Sequence, residues 1–189
     1  VSGELGPVVR LQVQGARLKP GATGERVYSP EPLVAVDELF VGPDGCLGRA
    51  GGPWIVDVHH AAHPDTRFGA DRVVSMLTTG AYRALRARFG ARLVDGVAGE
   101  NVLVDSDELL VGLPLPGGLL LGDIALTGVR PAEPCVEFSR WCRGVGLEDP
   151  GGEDARLALA DLLHGARGVY AVPLAAGVVR LGDVVVSAG

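Results

Sequence analysis

Apolar and polar positions alternate over residues 8–13 (VVRLQV), the pattern of a strand with one buried face. A turn carrying Arg17, Lys19 and Pro20 follows, and a second short strand is expected over 32–36. Residues 41–52 are rich in glycine and start with the turn signal Pro43-Asp44-Gly45, so they read as a loop. The pattern resumes as a short strand at 54–58 (WIVDV) and as a buried one at 72–77 (RVVSML). Thr78-Thr79 then offers an N-cap to a helix with Ala81, Leu85 and Phe89 at helical spacing and Gly90 just past its end. Arg83, Arg86 and Arg88 fall on the solvated face of that helix.

Beyond the helix the period returns to that of strands. Residues 101–104 form one, 109–111 a short apolar piece, and 119–121 with 124–127 a pair bent around Gly122-Asp123. The same Leu-Gly-Asp device recurs near the C-terminus, where 178–181 and 184–187 flank Gly182-Asp183. Glycine at these turns takes backbone angles that other residues avoid. The two copies are read as strands of one curved sheet closing into a barrel, which leaves no exposed edges. Between them lies an insertion at about 141–165: a Gly- and acid-rich loop over 141–152, then an amphipathic helix over 154–164 ending at Gly165. The expectation is a single domain over 1–189, mainly β with a few helices (α+β).

Composition narrows the picture. Of 189 residues 47% are hydrophobic and only 5% aromatic, with many Gly and Pro, which suits short strands and tight turns better than a helical bundle. The net charge is −6 and there is no basic tract, which argues against nucleic acid as a partner. No long apolar run or signal-like start stands out, so a soluble, cytoplasmic protein without membrane attachment is expected. Nothing in the sequence specifies an oligomeric state.

The three cysteines, Cys46, Cys135 and Cys142, fit neither a zinc pattern nor a disulfide framework. Cys135 differs from the others by its setting, behind Pro131 and Pro134 in a loop flanked by Arg130 and Arg140. Cationic neighbours raise the thiolate fraction, and a thiolate can ligate a soft metal or accept sulfur as a persulfide. A second concentration of chemistry is DVHHAAHPD at 57–65, with His59, His60 and His63. Imidazoles flanked by carboxylates suit a zinc or iron site, but the HExxH order is missing and Pro64 disfavours a helix. A metal site, a lining for the pocket of the thiol and a solvated loop all stay open on residues alone.

Taken in order, DVHHAAHPD, RVVSMLTTGAYRAL, GVAGENVLV, LPLPGGLLLGDIALTGVRPAEPC and GVYAVPLAAGVVRLGDVV resemble the stand-alone MOSC-domain proteins, a family named after the C-terminal domain of molybdenum cofactor sulfurases. The likeness runs from about Cys46 to the end, and it rests on the GEN triplet, the LGD turn, the TG-x-R segment and the Pro-Cys pair together. It implies a barrel-like MOSC fold. It also implies that Cys135 is the central functional residue, either as sulfur carrier or as the molybdenum ligand of a pterin cofactor (molybdopterin). By the same resemblance Gly99, Glu100 and Asn101 would sit beside it, with Thr127 and Arg130 shaping an anion-receptive pocket. His59, His60 and His63 join this set as candidate cofactor contacts. Two features differ from the pattern of relatives: the loop reads VRPAEPC in place of an apolar-Arg-Asn-Pro-Cys run, and Gly99 stands where cofactor-dependent reductases carry an arginine.

Three functions follow as expectations. In one, a Cys135 persulfide takes sulfur from a cysteine desulfurase or other donor and passes it to a metal centre. In another, the protein is a molybdenum-dependent reductase of N-hydroxylated compounds. In the last it is a binding module without chemistry. Under either chemical reading, the loop at 57–65, Asn101 and Cys135 should meet in one cleft.

Overall fold

The computed structural model describes residues 3–22, 24–66, 68–113, 115, 117–144 and 167–188. Its strands are β1 (Gly3–Gln14), β2 (Leu33–Val36), β3 (Glu38–Gly42), β4 (Gly45–Arg49), β5 (Ile55–Val56), β6 (Val74–Thr78), β7 (Val102–Val104), β8 (Leu119–Leu121), β9 (Ile124–Pro131), β10 (Val169–Pro173), β11 (Gly177–Arg180) and β12 (Val184–Ser187). Two helices are described, α1 (Thr79–Phe89) and α2 (Val136–Arg143). Seven strands close a barrel in the order β12-β8-β9-β10-β6-β7-β1, with β1 pairing back onto β12 and β2 extending from β1. The neighbours are antiparallel except β6 and β7, which run parallel and are joined through α1. A second sheet has the order β11-β3-β4-β5.

Period-two alternation builds two cores from the same strands. Val74, Met76, Val102 and Val104 belong to the barrel interior, with Leu11, Val13, Leu119, Leu121, Leu126 and Val185. Leu77 and Leu103 turn the other way and bury under the helices, with Tyr82, Leu85, Leu93, Phe138 and Cys142. The strands β6 and β7 are therefore apolar on both faces, which is why this stretch reads as a continuous hydrophobic run. The expected cap of α1 is present: Thr78 Oγ1 accepts from the Ala81 amide at 3.2 Å, and Gly90 ends the helix at φ 103°.

Three expectations change. Residues 41–52 are not a loop but most of the hairpin β3–β4, turning at Pro43-Asp44. Its glycines do not mark a coil; a Cβ on Gly48 would come within 2.8 Å of Val13 and Val36 side chains, so the second sheet lies on the barrel only where there is no side chain. The two Leu-Gly-Asp turns do not serve one sheet. Gly122 (φ 56°) folds β8 onto β9 inside the barrel, whereas Gly182 (φ 89°) carries the chain from β11 in the second sheet into β12 of the barrel. The segment after Cys135, expected as loop from residue 141, begins as α2. The remainder of the expected loop and the helix over 154–164 lie outside the described residues, and 109–111 forms no strand. Among the described residues no helix is long and apolar enough to cross a membrane.

Candidate functional site: a cationic cleft at the start of a helix

The helix α2 sets the thiol in place. Phe138 and Cys142, one turn apart on its inner face, are fully buried. Phe138 packs edge-on to Tyr28 (5.0 Å between centroids) and stacks with Trp141 (5.9 Å). Arg92 donates to the carbonyls of Trp141 and Cys142, holding the C-terminal turn. With that face anchored, Cys135 falls at the N-cap, half-buried, and its side chain makes no capping bond. The thiol thus stands at the positive end of a helix with its sulfur uncommitted.

Cys135 opens into a cleft of about 460 Å³. Its walls come from the end of β1 and the segment after it, the loop before β6, the turn before β7, the approach to α2 and the approach to β10. Five basic side chains line it: Arg17, Lys19, Arg26, Arg72 and Arg167. Against them stands one carboxyl, Glu100. Such a concentration of positive charge in a chain of net charge −6 suits an anionic ligand, with Arg17 and Arg72 also lying near Asp65 and Asp71.

Arg167 is the cation most closely bound up with the thiol. Its guanidinium lies 4.3 Å from the Phe138 ring centroid and donates through Nη1 to Ala98 O at 3.1 Å. Its Nε is buried and has no hydrogen-bond partner among the described residues. Burial works against its charge, but Cys135 and the phenols of Tyr28, Tyr170 and Tyr82 outweigh that and raise its pKa. Nothing in the local pattern around Cys135 pointed to a residue so far along the chain.

Glu100, 5% exposed, accepts from the Tyr82 hydroxyl at 2.9 and 3.1 Å, while that hydroxyl accepts from the Ala98 amide. Burial lifts its pKa to about 7, and hydrogen bonds from its own amide and the Tyr82 hydroxyl, with the charges of Arg167 and Arg10, only partly offset this. Glu100 is thus the one carboxyl among the cationic side chains of the cleft, and burial favours its neutral form.

Asn101 is bound up in the scaffold. Its Oδ1 accepts from the Ser75 amide (3.1 Å) and hydroxyl (2.9 Å), and its Nδ2 donates to Gln12 O (3.3 Å) and Asp57 Oδ2 (3.2 Å). It ties β1, β6 and the histidine loop together at the edge of the cleft. Gly99 lies between them because a Cβ there would meet Leu18 at 2.6 Å.

Of the residues singled out from sequence, the structure brings Cys135, Gly99, Glu100, Asn101 and His59 to the cleft. Thr127, Arg130, His60 and His63 are not part of its lining. Thr127 is exposed on β9 opposite Val172. Arg130 pairs with Asp71 at 2.7 Å and lies 5.2 Å over the Tyr170 ring, so it braces a wall from behind. The Nδ1 atoms of His60 and His63 accept from the amides of Ala62 and Asp65, which makes both turn-forming. Among the described residues no three His, Cys, Asp or Glu side chains cluster as a metal would need.

Comparison with known proteins adds the following. The MOSC domain matches residues 63–186. The fold is similar to that of the YuaD protein from Bacillus subtilis, with a TM-score of 0.59 and 15% identity over 98% of this chain and 95% of that one. It is similar to a hypothetical protein of known structure at TM-score 0.59 and 14% identity, over all of this chain and 70% of that one. It is also similar to YiiM from Escherichia coli at TM-score 0.52 and 18% identity, over 82% of this chain and 63% of that one. At these identities the likeness speaks for the fold. A search of curated protein sequences gives no match.

Proposed function

The chain belongs to the MOSC-domain family, and within it we propose that this protein holds a phosphorylated pterin–molybdenum cofactor in the cationic cleft, with Cys135 as a metal ligand, and reduces N-hydroxylated compounds. One observation carries the reading: a half-buried thiol and five basic side chains face the same cleft of about 460 Å³. That volume falls in the range of roughly 300–1,000 Å³ typical of small-molecule sites.

The residues present fit the group. Guanidinium forks and an ammonium suit a phosphate, and the partnerless Nε of Arg167 is a donor that a bound anion would satisfy. A soft thiolate is the protein ligand such a metal takes. When bound, the cofactor supplies a two-electron redox couple. The chain does the rest. Cys135 would hold the metal through its sulfur, from its place at the N-cap of α2. Phe138 keeps the Arg167 plane in place. Asn101 holds the loop of His59 against β1 and β6.

A second reading, sulfur carriage, draws on the capping position of Cys135, which suits a nucleophile. The Cys135 thiolate would attack the sulfane sulfur of a donor persulfide, such as that of a cysteine desulfurase, and the donor would leave as thiolate. Protein from a cofactor-competent host separates the two. Molybdenum that is retained by wild type and lost in Cys135→Ser supports the reductase. A mass increase of about 32 Da on Cys135, with no molybdenum, supports the carrier. Neither signal would leave a binding module without chemistry.

A further inference from the structure

We propose that His59 is the proton donor of this cleft, acting through Nε2 with Asp57 as the residue that positions it. The proposal rests on the reductase reading above. Asp57 is 1% exposed, and both of its oxygens are held: Oδ2 accepts from the Gln14 amide (2.8 Å) and Asn101 Nδ2 (3.2 Å), and Oδ1 accepts from the His59 amide (2.8 Å). The same Oδ1 lies 3.1 Å from His59 Nδ1. Surrounded by donors, Asp57 is an acceptor toward the ring, so Nδ1 carries a proton and the exchangeable site is Nε2. That nitrogen has no hydrogen-bond partner among the described residues, and the ring lines the cleft together with Cys135.

The neighbouring histidines show what sets His59 apart. His63 has both ring nitrogens engaged, Nδ1 by the Asp65 amide at 3.0 Å and Nε2 by Gly15 O at 3.3 Å. His60 uses Nδ1 to accept from Ala62 at 3.1 Å and is not part of the cleft lining. Of the three, only His59 has a carboxylate behind it and a free nitrogen in a ring that faces the cleft. A buried carboxylate fixing the tautomer of an imidazole is the arrangement that makes a histidine an effective acid or base.

Reduction of an N-hydroxylated base breaks the N–O bond, takes two protons, along with two electrons which the bound cofactor would supply, and releases the dehydroxylated base and water. His59 gives one proton to the departing oxygen and recovers it from solvent through its exposed edge, 40% of the side chain. The second proton comes from solvent. The other charged or titratable groups around the cleft are Arg17, Lys19, Arg26 and Tyr28 after β1, Arg72 before β6, Glu100 before β7, Cys135 at α2, and Arg167 and Tyr170 at β10.

The test compares full-length wild type and His59→Gln from a cofactor-competent host, with an aromatic amidoxime as substrate and a reduced viologen as electron donor. The variant should hold as much molybdenum and melt at the same temperature, with kcat lower by about 10²–10⁴-fold. A readout independent of turnover is ¹⁵N NMR of the ligand-free chain, which should place the neutral-ring proton of His59 on Nδ1 in wild type and lose that preference in Asp57→Asn. A variant that keeps its molybdenum and its kcat overturns the proposal and leaves the cofactor reading standing. Loss of molybdenum from His59→Gln would make it a binding residue and also overturns the proposal, as does a neutral-ring proton found on Nε2. Wild type without molybdenum overturns the proposal and the reading together.

Discussion

Cys135 and Cys142 are carried by the same short helix and have opposite chemistry. Cys135 stands at the cap, half-buried, with its sulfur in a cationic cleft. Cys142 is buried without remainder beneath the last turn, and burial pushes its thiol up to about 12, with Arg167 and Arg92 pulling the other way and Cys135 adding to the rise. Residue type and neighbourhood in sequence are nearly the same for both. What separates them is the end of the helix each occupies and the face it presents. A thiol at a helix N-terminus meets unpaired amides and solvent, whereas one on the inner face meets only side chains. The lesson is that a cysteine acquires its function from the element that presents it.

The largest effect that could break this contrast is on cofactor retention. Replacing Cys135 with Ser should abolish bound molybdenum and reduce turnover by about 10³-fold or more, while Cys142→Ser should keep both when the protein folds; elemental analysis alongside steady-state rates reads this out. Removing the anchor comes next. Phe138→Ala should cost about 3–5 kcal/mol in urea unfolding, and in the folded fraction Cys142 should become open to alkylation.

The floor of the cleft extends the contrast to a carboxyl. Folding raises the Glu100 pKa from 4.5 to about 7, so the folded chain keeps a proton that the unfolded chain has lost. The contribution of Glu100 to stability should be full below pH 4.5 and be lost as pH rises through about 7, a change of roughly 3 kcal/mol. Glu100→Gln should remove that slope in ligand-free protein, and a wild-type midpoint unchanged between pH 5 and pH 8 would contradict it. The smallest effect sharpens the comparison itself. Arg167→Gln should slow iodoacetamide labelling of Cys135 by about tenfold, with Cys142 unlabelled in both proteins.

Much of this was legible along the chain. Alternation at β1, the Thr78 cap of α1 and the doubly apolar β6 each depend on local spacing, and local spacing is preserved on folding. The 57–65 loop, Asn101 and Cys135 were likewise expected to meet in one cleft, and of the three histidines in that loop only His59 lines it. Other features were obscured by local signals with two meanings. Gly45 and Gly48 look like loop, yet they lie in β4 because the partner sheet and the His60 backbone approach where side chains would stand. The start of α2 was hidden behind Pro131 and Pro134, although Phe138 and Cys142 at helical spacing, with Glu137 early and Arg140 and Arg143 late, were the available signal.

Strand and helix periods, the capping of α1 and the turns at Gly122 and Gly182 could be read along the chain, because each depends on residues within a few positions of one another, and the resemblance of its motifs singled out Cys135 as the candidate thiol. The tertiary structure alone decided which cation accompanies that thiol. Arg130 lies near Cys135 in the chain yet pairs with Asp71, while Arg167, brought in by β10, rests on Phe138 at the cleft. It also sent the two Leu-Gly-Asp turns to different sheets and, of the three histidines in the 57–65 loop, set a carboxylate behind His59. Barrel closure joins segments far apart in sequence, and no local pattern carries the information about which of them will meet.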